Sequence, residues 1–293
     1  AAEVDAMTRE TLAARIAKAI AIAWILAWSL GPIVVGFVTS ISSQTDVRAV
    51  PARWLPHTVT LDSYRQLLGG TNSQQSGGTV TEAGVYQHAL LASSEVALMA
   101  TAATLIVATM AAYAFGRLRF RLGRVLFLAV LSTMLVPVFV VAVTLFQVMA
   151  DFHLIDTKRG LTLVFVATLT PLATWLLYNH VREMDIGPEE AALVDGCRRW
   201  QAFWRVVVPQ MGSAIAAVAA ITALTVWGEF LIPLLLTSTS NSKPVTVLIT
   251  EYVGKYTTNY PIVAAAGVLA LLPPAVLALL LNRRITSVMA GSS

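Results

Sequence analysis

Long apolar runs separated by shorter polar passages set the rhythm of the chain. They extend over about Ile16 to Ile41, His88 to Phe115, Val125 to Met149, Leu161 to Val181, Gly212 to Leu236 and Tyr260 to Leu281. Each is long enough for one helix to cross the hydrocarbon layer, which takes about 20 apolar residues. The pattern predicts six transmembrane helices, hence an all-α polytopic membrane protein built as one transmembrane domain over residues 1–293. The first run is too long for a cleaved signal peptide and has no small-residue cleavage site at the right place, so it is expected to be retained as a membrane helix. Gly31-Pro32, Pro137, Pro171 and Pro273-Pro274 fall inside runs. Gly31-Pro32 is expected to kink the first run and Pro273-Pro274 the sixth. The second run is rich in alanine, a composition that lets helices pack closely in lipid.

The polar passages carry their own signals. Residues 42–87 are predicted to form an external loop. Within it Thr60 to Leu68 reads as a short helix capped by Thr60 or Asp62, and the Gly-, Ser-, Asn- and Gln-rich segment Gly69 to Gly78 as a flexible connection. Residues 183–209 form the longest charged passage between two apolar runs in the C-terminal half. Pro188 and the acids Glu189 and Glu190 suit the first turn of a helix, where a missing N–H costs nothing and negative charge meets the helix dipole. Gly196 lies two turns on, at the place of a left-handed cap. Trp200, Phe203, Trp204 and Val207 then follow at helical spacing, an apolar stripe on a second segment that Pro209 closes. The passage therefore reads as helix, glycine turn, amphipathic helix.

Composition sharpens the class. The chain is 57% hydrophobic and 12% charged, against about 25% charged in soluble domains, and its mean hydropathy is +0.72. Charge placement sets the expected orientation. With both termini inside, thirteen Lys and Arg fall in inside segments and seven outside, among them Arg48, Arg53, Arg65, Lys158, Arg159, Lys243 and Lys255. Arg117, Arg119, Arg121 and Arg124 mark one inside turn, and Arg198, Arg199 and Arg205 belong to another, as the positive-inside rule requires. The single cysteine, Cys197, excludes an internal disulfide, and the four histidines show no paired metal-ligand spacing. Few ionisable residues lie at membrane depth. Glu95 is near the outer end of the second run and Glu229 deep in the fifth, so the case for a proton relay is thin. No phosphate-cradling loop and no nucleophile–base pair is present, so the chain reads as non-catalytic, with no metal and no catalytic residues.

Several passages resemble one family. Glu190-Ala191-Ala192, three residues, Gly196, nine residues and Val206-Val207-Val208-Pro209 resemble the E-A-A signature of ABC importer permeases, with Val206 and Val208 standing for the usual Ile and Leu. Ala111 to Phe120 resembles the A-A-Y-A-F-x-R-x-x-F of the carbohydrate branch. Met134-x-x-Pro137 and Leu145-Phe146 resemble its third-span motifs, with Thr144 in place of a proline. His153 to Thr157 resembles L-G-L-x-D-T with His153 for glycine, and Trp227-Gly228-Glu229-Phe230 resembles W-N-E-F with Gly228 for asparagine. The pattern P-x-x-W-x-P followed by T-L-D-x-Y resembles the external loop of the same branch, and Ile285 to Ser293 a shortened family tail. The sequence is thus similar to the maltose-type carbohydrate permease subunit of a binding-protein-dependent ABC importer, from about Val50 to Pro233.

The resemblance implies the ABC importer type I permease fold in a bacterial cytoplasmic (inner) membrane. It implies a second permease subunit, an ABC ATPase dimer that binds ATP and Mg²⁺, an extracytoplasmic solute-binding protein and a carbohydrate substrate such as a maltose- or trehalose-like sugar. Membrane lipid is the surrounding partner and nucleic acid is not. Glu190, Ala191, Ala192, Asp195 and Gly196 would couple to the ATPase: Glu190 by polar contact, the alanines by close approach, Gly196 by its turn. Asp195 reads equally as a helix-terminal turn residue. Pro137, Leu145, Trp227, Glu229 and Phe230 would line or shape the substrate path, with helix packing as the competing reading of each. The alternatives are an importer permease for a polyol or glycerol-phosphate-type solute, an ATP-independent secondary carrier, and a scaffold subunit.

Overall fold

A computed structural model describes residues 12–50, 55–68, 84–118, 120–253 and 258–290. The Gly69 to Gly78 segment, Arg119 and the chain ends before Leu12 and after Ala290 lie outside the described residues, as does most of the P-x-x-W-x-P motif. Among the described residues the long elements are all helices, and the one isolated β-bridge joins Val253 to Thr258. Two compact units are distinguished, residues 1–83 with 252–269 and residues 84–251 with 270–293.

In the first unit α1 (Leu12–Ser40) is apolar around its whole circumference, the character of a helix with lipid or protein on every side. Its C-terminal end is tied to the following loop. Ser40 Oγ and Tyr64 Oη are 2.7 Å apart, and Thr60 N–H donates to Ile41 O at 2.8 Å. The loop holds α2 (Gln44–Val47), capped by Ser43, and α3 (Asp62–Leu68), whose first turn carries the Asp62–Arg65 pair at 3.5 Å. Gln44 and Arg48 both donate to Thr258 O.

The second unit is built around α4 (Val85–Arg117), α7 (Lys158–Glu183) and α11 (Gly212–Gly228). The buried face of α4 runs Ala89, Ala92, Val96, Ala100, Thr104, Ala108 and Ala112, a seam of mostly small residues at helical spacing. Small side chains let α7 lie close along it, so packing rather than hydrophobic transfer holds the pair in an apolar medium. At the end of the pair, a methyl on Gly116 would stand 2.9 Å from Val181 Cγ1. One apolar cluster joins Val96, Ala100, Leu161, Val164, Phe165 and Val226 to Ile232 and Leu236 of α12 (Leu231–Leu236). A second joins Ala108, Ala112, Tyr113, Leu177 and Val181 to Phe203, Val207, Met211 and Val218.

Among the described residues four helices are long and apolar enough to cross a membrane, and up to six spans result if each of two bent pairs counts as one. The third expected span is one of these pairs. α5 (Gly123–Ser132) and a 3₁₀ turn, Thr133–Leu135, meet α6 (Val138–Asp151) at 100°. Pro137 is the cause: it removes an amide donor, forces Val136 into an extended conformation and starts α6 afresh. The other pair is Arg199–Gln210 with Gly212–Gly228, bent by 73°. The fifth expected span is in addition interrupted at Glu229 and Phe230, between α11 (Gly212–Gly228) and α12 (Leu231–Leu236). The sixth is the continuous α14 (Tyr260–Ala290), after α13 (Val245–Glu251).

Candidate functional site

The charged passage after α7 folds into a short helix that turns on a glycine. α8 runs Gly187–Val194 with Pro188 in its first turn. Asp185 Oδ1 accepts the Gly187 N–H at 3.1 Å and so satisfies one of the orphan donors of the helix start. At the other end Cys197 N–H reaches back to Ala192 O at 3.0 Å and Gly196 N–H to Leu193 O at 3.2 Å. These two bonds make a Schellman closure, and it requires the left-handed conformation that Gly196 adopts at φ +90°.

A second segment starts at once. Gln201 Oε1 accepts the Arg198 N–H at 2.8 Å, and α9 (Arg199–Ala202) leads into a π-helical turn, Phe203–Val207, then α10 (Val208–Gln210). The π turn has a local reason. Pro209 has no N–H for the Arg205 carbonyl and its ring crowds that position, so the ladder widens ahead of it. The widening redistributes the apolar stripe. Phe203 and Val207 are buried with Ala202, whereas Trp200 and Trp204 remain 61% and 42% exposed. The three aromatic rings still touch, Trp204 standing edge-on to both Trp200 and Phe203.

On α8 the residues expected to meet a partner divide by face. Glu190, Ala191, Asp195 and Gly196 are exposed and Ala192 is half-buried. Val194 joins them at 86% exposure. The buried side chain of α8 is Glu189, the residue before the signature. Its Oε1 accepts the Tyr113 hydroxyl at 2.6 Å, and its Oε2 lies 3.5 Å from Arg117 Nε. Arg117 also donates from Nη2 to Met184 O at 2.7 Å. The sequence reading missed Glu189. The available signal was that Tyr113 and Arg117 stand four apart in the A-A-Y-A-F motif, on one face of α4.

The five expected path residues are held in different ways. Leu145 and Trp227 both pack on the cluster around Val96 and Phe165, and Trp227 Nε1 donates to Ala270 O at 3.1 Å. Glu229 caps the break after α11: its Oε1 accepts the Leu231 N–H at 3.0 Å, and its carbonyl accepts Thr246 Oγ1 at 3.0 Å. Pro137 and Phe230 are exposed at the two helix breaks. None of the five lines the groove formed by Trp24, Ile25, Trp28 and Ser29 on α1.

A second built feature is the turn between α6 and α7. His153 and Asp156 have left-handed backbones, φ +56° and +58°. Asp156 Oδ1 accepts the N–H groups of Ser238 and Thr239, at 2.9 and 3.0 Å, and the Ser242 hydroxyl. The Asp156 N–H donates to Leu236 O at 2.7 Å. Partial burial pushes the carboxyl pKa up, but these hydrogen bonds outweigh it and hold the group at about 2. Thr157 caps α7 by accepting from Gly160 N–H at 3.0 Å. Nearby, Lys158 Nζ and Glu95 Oε2 are 2.5 Å apart.

Comparison with known proteins assigns the class. Residues 98–290 match the binding-protein-dependent transport system inner membrane component family, and the chain belongs to it. It is a non-catalytic membrane component of an ABC transport system, and the importer reading of the motifs agrees. The trehalose transport system permease protein of Mycobacterium tuberculosis is 28% identical over 265 residues, 90% of this chain and 91% of the relative. The sulfoquinovosyl glycerol transport system permease protein of Agrobacterium fabrum is 28% identical over 250 residues, 85% and 83% of the two chains. A solved bacterial ABC transporter involved in the import of the acidic polysaccharide alginate has a chain of the same fold. It superposes with a TM-score of 0.79 at 19% identity, over 94% of this chain and 98% of that one.

Proposed function

We propose that the chain is the permease subunit through which a carbohydrate enters the cytoplasm, driven by ATP hydrolysis in a separate ATPase. The carrying observation is α8, a helix closed by Gly196 that presents Glu190, Ala191 and Asp195 outward at the E-A-A spacing. A charged, small-residue face of this kind suits insertion into a cleft on another protein. Relatives named for trehalose, lactose and starch degradation products favour a sugar over a polyol or glycerol phosphate. The expected partners are a second permease subunit, an ATPase dimer holding ATP and Mg²⁺, and an external solute-binding protein. Both termini and α8 face the cytoplasm.

In this reading Glu190 makes the ionic contact with the ATPase, Ala191 and Ala192 allow close approach, and Asp195 and Gly196 set the end of the helix. Closure of the ATPase dimer on ATP displaces α8 and switches the permease between inward- and outward-facing states, a rigid-body rearrangement. Inverting such an equilibrium from 1:99 to 99:1 takes about 5.5 kcal/mol of differential binding. The broken helices supply the path. The break at Pro137 frees backbone groups that lipid would not tolerate but a water-lined passage would, while Glu229 and Thr246 satisfy those at the second break. Leu145 and Trp227 shape the walls, and Phe230 offers an aromatic face to a sugar ring.

The test is reconstitution of the gently purified complex into liposomes with its binding protein. ATP-dependent uptake of a labelled di- or oligosaccharide, abolished by Glu190→Lys with the chain still inserted, is the expected result. A chain that purifies alone and moves solute without ATP would sink the proposal.

A further inference from the structure

We propose that Tyr113, Arg117 and Glu189 form the joint that passes movement of α8 into the helix core, so that Glu189 is a positioning residue for coupling and not a contact to the ATPase. The inference rests on the coupling role proposed for α8.

α8 is held in an unusual way. Short surface helices are ordinarily anchored by an apolar side chain, yet the buried residue of this helix is a carboxylate. Its side chain is 6% exposed and that of Arg117 10%. A buried charge persists only when paired and hydrogen-bonded. Here the pairing uses two residues of α4 that lie on the same face, one turn apart.

Each of the two residues reaches further. The Tyr113 ring packs on Phe203 with centroids 4.9 Å apart, and so joins α4 to the π turn that follows α9. Arg117 donates to the carbonyls of Met184 and Asp185, at 2.7 and 3.4 Å, and so gathers the C-terminal end of α7. The end of α4, the end of α7, α8 and the π turn therefore meet at two side chains. A force applied to the exposed face of α8 reaches the core through Glu189.

The contacts differ in kind. The tyrosine bond is short, 2.6 Å. The Arg117 Nε–Glu189 Oε2 separation of 3.5 Å is too long for a good hydrogen bond, and neither atom has another partner. One contact fixes direction and the other supplies attraction with room to shift. An apolar pair of the same size would hold α8 in place but would not fix its direction, since hydrophobic contact is non-directional.

The experiment uses the reconstituted complex and measures ATP hydrolysis and sugar uptake together, as transport per ATP. Glu189→Gln and the apolar double replacement Arg117→Met with Glu189→Met are expected to keep ATPase association and hydrolysis within about twofold while transport per ATP falls at least tenfold, roughly 1.4 kcal/mol of coupling. Glu189→Asp should recover part of the loss. Tyr113→Phe keeps the ring on Phe203 and removes one hydrogen bond, so it remains measurable where the others fail to fold. Its transport per ATP should fall severalfold. Wild-type transport per ATP in Tyr113→Phe or the double variant would overturn the joint. So would hydrolysis and transport falling in proportion, since that marks α8 as a docking element only. If the unaltered chain fails to bind an ATPase, the proposed function falls and the joint falls with it.

Discussion

Asp156 carries the clearest titration. Its folded pKa of about 2 lies below an unfolded value of about 3.9. The group therefore stabilises the turn wherever it is ionised in both states, and that contribution is lost as pH falls through the folded value. The melting temperature of the purified protein should lose this increment between about pH 5 and pH 2. Asp156→Asn should be less stable above pH 5 by about 1–2 kcal/mol, a figure discounted for partial exposure, and should lack the increment at lower pH. An unchanged pH profile in the variant would count against the assignment. Asparagine tolerates φ +58°, so the change isolates charge from backbone strain. His153 poses the opposite case. The resemblance expects glycine there, and the histidine sits at φ +56°. His153→Gly should stabilise by about 0.5–1 kcal/mol, the relief of left-handed strain less the added entropy of the unfolded chain. A lowered melting temperature would show that the histidine side chain contributes more than its backbone costs.

At the scale of elements, two glycines, one past the end of α8 and one in the first turn of α7, are needed for different reasons and should fail differently. Gly196 has no heavy atom within 4 Å of an added methyl, so Gly196→Ala meets only the cost of a positive φ, about 1 kcal/mol. Melting should barely move, while pull-down of the ATPase weakens because the exit of α8 is redirected. An added methyl on Gly160 would overlap the Leu154 carbonyl oxygen. Gly160→Ala should destabilise by about 2–3 kcal/mol, read as a lower melting temperature. The helices themselves were largely legible. Apolar runs located α1, α4, α7 and α14, because a membrane helix needs only length and hydrophobicity. The E-A-A spacing located α8 and its glycine turn. The details that depend on tertiary partners were not legible. Eight residues are too few for periodicity to tell whether Glu189 or Glu190 faces inward, and that choice belongs to Tyr113 and Arg117. The stripe Trp200, Phe203, Trp204, Val207 presumed α-helical spacing, which the π turn ahead of Pro209 changes. Pro137 stood inside a run that reads as one span, and the 100° bend there was not legible, because a proline marks a lost amide donor and not an angle. The path residues were inferred from motifs one at a time, and Glu229 has a capping role that no motif states.

At the scale of the whole molecule, orientation decides whether any of this can work. α8 can meet a cytoplasmic ATPase only if the loop between α7 and α11 is inside, and the excess of Lys and Arg on that side is the argument for it. Cys197 provides a direct reporter. It is the single cysteine, it is half-buried, and it follows Gly196 at the end of α8. A membrane-impermeant maleimide should therefore label inside-out vesicles and leave sealed right-side-out vesicles unlabelled until they are opened. Addition of the ATPase subunits should slow the labelling, because the proposed docking face begins two residues away at Asp195. Cys197→Ala removes the signal and should leave the fold intact, since a small apolar residue fits the same place. Labelling from outside alone would invert the topology, and no arrangement of α8, Glu189 or Tyr113 could then couple the chain to ATP.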